Sequence, residues 1–147
     1  MEGNQNKINI STLVIFWLIF AFFILNALSM YAMPLFGPYI QFISIPSMVI
    51  LPIIGIALIV LAARARFTKI SKSFFVLIGS AALSITVLGV LHNLVSALLI
   101  KLTREGFWSS MRDEPVFFVQ ATLVCPLALL VGIIGSIVLI AKKKVIL

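Results

Sequence analysis

The chain has 147 residues, of which 63% are hydrophobic and 10% charged, and its mean hydropathy is +1.26. Soluble domains are about half apolar and a quarter charged, so these proportions exclude a water-soluble globular fold. A net charge of +7 would suggest nucleic acid in a soluble protein. Here the cations stand in blocks between apolar runs, which points to membrane topology instead and to no nucleic-acid partner.

The apolar runs cover residues 10–33, 43–63, 74–100 and 116–141. Each is long enough to cross a hydrocarbon core of ~30 Å at ~1.5 Å per residue. The expected fold is an all-α integral membrane protein: one polytopic domain over 1–147, a four-transmembrane-helix bundle running up-down-up-down. Lys7, Arg64, Arg66, Lys69, Lys72 and Lys142, Lys143 and Lys144 fall on one side of that arrangement. The other side holds Lys101, Arg104 and Arg112, offset by Glu105, Asp113 and Glu114. The positive-inside rule then places both termini in the cytoplasm, in a plasma membrane. Lys7 ahead of an apolar stretch, with Ala27-Leu28-Ser29 further on, loosely resembles a secretory signal. The stretch exceeds the ~7–15 residues of a signal core, so it reads as the first span.

In chain order, the first span leads into an uncharged link, residues 34–39, with two prolines and a glycine that suit a tight hairpin. The second span contains Pro46 and Pro52 and the fourth Pro126; each removes a backbone donor and predicts a kink. Ser71 or Ser73 is placed to cap the third helix and Asp113 the fourth, with Pro115 in its first turn. The outer loop, residues 102–115, carries Phe107, Trp108 and Met111 among charges, as expected of a segment lying at the headgroups. Asn-x-x-Ser recurs at Asn26 and Asn93, and a glutamine, a proline and Ile-Ile-Gly recur at Gln41, Pro46 and Gly55 and at Gln120, Pro126 and Gly135. This pattern allows a duplicated hairpin, although the small alphabet of membrane helices produces such coincidences too.

Small residues form a seam on the third span: Gly79, Ala82, Thr86, Gly89, Asn93 and Ser96. The fourth carries Ala121, Cys125, Ala128, Gly132 and Gly135 at matching intervals. Small seams let backbones approach, which favours association where lipid is as apolar as leucine. In antiparallel register Gly79 would meet Gly135, Ala82 would meet Gly132 and Gly89 would meet Cys125. One seam could instead receive a second copy of the chain.

Four-span proteins of this size include the small multidrug transporters, with an intramembrane glutamate, and glutathione-handling membrane enzymes, with buried Arg and Glu. The chain resembles them only in length and span number, since no Asp, Glu, Lys or Arg lies within a span. The polar residues that remain gather towards the outer side: Asn26, Ser29, His92, Asn93, Ser96 and Gln120. They read either as an interhelical hydrogen-bond clamp, worth ~0.6 kcal/mol per bond, or as a small cavity in which His92 binds a ligand, metal or proton. His92 is the single histidine and Cys125 the single cysteine, so neither a metal site nor paired haem ligands can be built within one chain, and no cofactor is expected. The absence of a nucleophile beside a base, or of a phosphate-binding glycine loop, argues against an enzyme. The expected role is an accessory or structural subunit, or a homo-oligomer, in a membrane assembly. The competing role is a transporter or channel for a neutral or weakly polar solute.

Overall fold

The computed structural model describes residues 9–25, 41–103 and 115–142, and there every regular element is a helix. α1 is Asn9–Leu25, α2 is Gln41–Arg64 and α3 is Lys69–Thr103. A fourth rod joins α4 (Pro115–Val119), a π turn (Gln120–Val124) and α5 (Cys125–Ala141) without a break. Two stretches, Lys69–Leu99 with 31 residues and Val116–Ala141 with 26, are long and apolar enough to span a membrane. The link at 34–39, the loop aromatics and the Asp113 cap lie outside the described residues.

α3 is the central helix, packed against α2 on one face and against α4 and α5 on another. The contact with α2 is backbone to backbone. A Cβ added at Gly55 would stand 2.8 Å from Gly79 O, and one at Gly79 would stand 2.6 Å from Gly55 O. Only two glycines permit that approach. Ala82 completes the contact one turn along.

The expected seam between the third and fourth spans is not formed in the predicted register. Gly132 packs on Ile78 rather than Ala82, its hypothetical Cβ 2.6 Å from Ile78 Cγ1, and Gly135 packs on the ring of Phe74 rather than on Gly79. The pairing is displaced by about one turn towards the start of α3. The physical reason is that Gly79 and Ala82 are occupied by α2, so the glycines of α5 receive large side chains from the neighbouring face of α3. At Gly89 an added Cβ would meet nothing within 4 Å among the described residues. Cys125 is buried on α5, in line with Leu129, Gly132 and Ser136.

α1 joins the same core through Phe16 and Ile19, both fully buried. The Phe16 ring meets Phe75 edge-on at 5.7 Å, and Phe75 meets the buried Phe67 at 5.1 Å. The Asn9 side-chain oxygen accepts the Arg66 backbone N–H at 3.3 Å. That bond fixes the start of α1 beside the junction of α2 and α3. Because α5 runs antiparallel to α3, its end at Lys142 lies at this end of the bundle too.

The third helix is capped by neither Ser71 nor Ser73 acting as the first residue. Thr68 precedes the helix, and its Oγ1 accepts the Ser71 N–H at 3.3 Å and shares a hydroxyl bond of 2.8 Å with Ser71 Oγ. Threonine there satisfies a first-turn donor that the helix itself leaves open. Ser73 instead donates to Lys69 O within the helix. At the end of α2, Lys72 Nζ donates to Ala63 O at 3.2 Å, supplying a cation to a carbonyl terminus.

The prolines act unequally. α2 is α-helical through Pro46 and Pro52, whereas Pro126 follows directly on the π turn. A proline at 126 cannot donate to Thr122 O and its ring crowds that carbonyl. The preceding turn widens, so that the Cys125 N–H bonds Gln120 O, and the Thr122 hydroxyl turns back to Phe118 O at 2.7 Å. The two helices equated by a duplicated hairpin thus differ in local geometry.

Candidate functional site

The polar residues expected to gather on one side are distributed along two rods. His92, Asn93 and Ser96 lie on the C-terminal half of α3, and Gln120 opens the π turn. Asn26 and Ser29 lie outside the described residues. The His92 ring rests on Phe118 with centroids 5.4 Å apart and planes at 50°. This tilted contact ties α3 to α4. His92 itself is half-buried.

Asn93 is exposed, and its amide donates to Gly89 O of its own helix at 3.0 Å. That bond uses a carbonyl one turn back, so this part of the amide serves the helix rather than a neighbour. Ser96 is buried at 8% exposure. Gln120 is exposed and stands two residues from Phe118, so it projects away from the face that carries the His92 contact. The set resolves into a His92–Phe118 contact, an Asn93 whose amide nitrogen serves its own helix, a buried Ser96 and an exposed Gln120.

Chemically, a lone imidazole against a phenyl ring has apolar packing on one side and two ring nitrogens for hydrogen bonds. Among the described residues no group of three His, Cys, Asp or Glu side chains is placed to hold a metal ion.

The sequence reading passed over three polar residues that the fold buries. Asn9 is 7% exposed and holds the α2–α3 junction. Thr12 is fully buried one turn further along α1. Ser136 is 2% exposed, and among the described residues its hydroxyl has no hydrogen-bond partner. The signal for Asn9 and Thr12 was present: with Phe16 and Ile19 they form a 3, 4, 3 spacing on one helix face.

Comparison with family models, with curated proteins and with solved structures finds no match for this chain.

Proposed function

We propose that the chain is a four-span membrane bundle with both termini on the cytoplasmic side of the plasma membrane, working as an accessory or structural subunit or as a homo-oligomer. The observation that carries this reading is the apolar exterior of the two long helices. Val87 and Val90 on α3 are 46% and 61% exposed, and Val131 and Ile134 on α5 are each 58% exposed. In water such surface is unfavourable by ~25 cal/mol per Å²; in lipid it is at home. The interior points the same way. Gly55, Gly79 and Gly132 are filled by neighbouring backbone and by Ile78, which suits a packed bundle better than a solute path between α3 and its partners.

The test is purification in mild detergent after alkaline washing of membranes. Retention in the washed membrane, with a stoichiometric partner or a defined oligomer on native gels, is the expected result. Release into the wash would overturn the membrane reading. A monomer that carries a solute when reconstituted alone would overturn the subunit role.

A further inference from the structure

The fourth rod is held unequally along its length. α5 interlocks with α3: the directions in which Gly132 and Gly135 would carry a Cβ are filled by Ile78 and by the ring of Phe74, and Leu129 and Ile133 on the same helix are buried. α4 is held more lightly. Val116, Phe118 and Val119 are 58%, 52% and 46% exposed, and Phe117 is half-buried. What ties α4 to α3 is the Phe118 ring against His92, with centroids 5.4 Å apart.

The π turn lies between these two parts, and it interrupts the hydrogen-bond ladder. A helical carbonyl takes its bond from the N–H four residues on, or five in a π turn. For Ala121 O those positions are Cys125 and Pro126. The Cys125 N–H is given to Gln120 O, and proline has no N–H to give. Ala121 O is left without a main-chain donor of its own, although Ala121 is buried. The Thr122 hydroxyl adds to the effect by bonding Phe118 O at 2.7 Å, a back-bond of the kind that bends helices.

The chain is not broken there. Val119, with φ −62° and ψ −40°, and Cys125, with φ −66° and ψ −44°, are both in the right-handed helical region. A continuous rod that lacks one rung bends at that rung, and π turns are among the few places where helices do so.

We propose that Gln120–Val124 is a hinge on which α4 swings away from α3 while α5 stays in place, with the His92–Phe118 ring contact as its latch. The device goes beyond the subunit role, because it gives the bundle a moving part at one end. Pro126 makes the hinge by withholding a donor. The latch is weak enough to open, since an aromatic pair favours the closed form by a factor of about two to ten beyond its buried area.

The test measures distances between nitroxide pairs by pulsed electron spin resonance, on the full chain in mild detergent and in a Cys125→Ala background. One pair, at Leu94 and Val116, reports on α3 and α4. The other, at Ile70 and Val138, reports on α3 and α5. All four positions are exposed. Phe118→Ala is expected to move population of the first pair to longer distances, raising the open-to-closed ratio about two- to ten-fold, and to leave the second pair unchanged. His92→Ala removes the same contact from the other helix and should do the same, and circular dichroism checks that the variants fold. Adding Pro126→Ala to Phe118→Ala supplies the missing N–H and should return the first pair to one narrow distance.

An unchanged first pair in both latch variants would overturn the latch. Broadening of both pairs alike would show general loosening of the bundle and overturn the hinge. Broadening of the first pair that persists with Pro126→Ala would place the motion elsewhere and overturn the role of the π turn.

Discussion

Gly132 is the position at which the observed register of α3 and α5 is most exposed to test. A Cβ there would lie 2.6 Å from Ile78 Cγ1 and 3.4 Å from both Ile78 N and Phe74 O. Ordinary carbon contact is about 3.5–4.0 Å, so Gly132→Ala demands a displacement of about 1 Å or a different Ile78 rotamer. Overpacking of this kind costs about 1–3 kcal/mol. The gain in helix propensity from glycine to alanine offsets about 1 kcal/mol, leaving a net loss of about 0–2 kcal/mol. Gly132→Leu has no such escape, because the backbone of α3 blocks the same direction. It is expected to lose more than about 3 kcal/mol and to separate α5 from α3.

Two controls make the argument specific. Gly89→Ala meets nothing within 4 Å among the described residues and should be neutral or slightly stabilising, and Leu130→Ala removes a 37% exposed side chain and should be mild. The decisive comparison is a cycle with Ile78→Ala, which removes Cγ1. Although Ile78→Ala alone opens a cavity, Gly132→Ala should be less harmful in its presence, with a coupling of about 0.5–3 kcal/mol. The assay is reversible unfolding in mixed detergent and SDS micelles, followed by circular dichroism. Additivity of the two changes, or equal effects of leucine at positions 132 and 89, would refute the packing of Gly132 on Ile78.

Thr68→Ala should lose about 1 kcal/mol by removing the acceptor for Ser71 N–H, whereas Thr68→Ser should retain most of it; equal losses in the same unfolding assay would count against the cap. His92→Gln keeps hydrogen-bonding groups but removes the ring from Phe118, so it should cost no more than about 1.5 kcal/mol and leave complex formation intact. A folded glutamine variant that no longer assembles with its partners would make His92 a functional site residue rather than a clamp. In a Cys125→Ala background, cysteine at Lys69 should label with an impermeant thiol reagent from the cytoplasmic side and cysteine at Ser109 from the outside. Lys69 replaces Ser71 for this purpose because Ser71 is 1% exposed, and labelling of both from one side would end the four-span reading.

The helical character and the two long apolar helices were legible from composition and run length, since few alternatives exist for apolar segments of 26 and 31 residues. The polar residues near one end of the spans were legible only as a set. Helical rise puts His92, Asn93 and Gln120 at similar depth, but depth does not say which faces meet. The contact that His92 makes is with Phe118, a residue whose apolar character offered no cue.

The small residues show the same division most clearly. Their spacing marked Gly79, Ala82, Gly132 and Gly135 as positions of close approach, because spacing is a property of one helix and is written in its own sequence. What each glycine faces is a property of two helices. A glycine accepts either another glycine, as Gly79 accepts Gly55, or a large side chain, as Gly132 accepts Ile78. Both fill the same groove, so periodicity cannot choose between them. The tertiary structure chose by giving one face of α3 to α2 and the adjacent face, with Phe74 and Ile78, to α5. Steric exclusion decided the outcome, since backbone already occupied by one neighbour cannot be approached by a second.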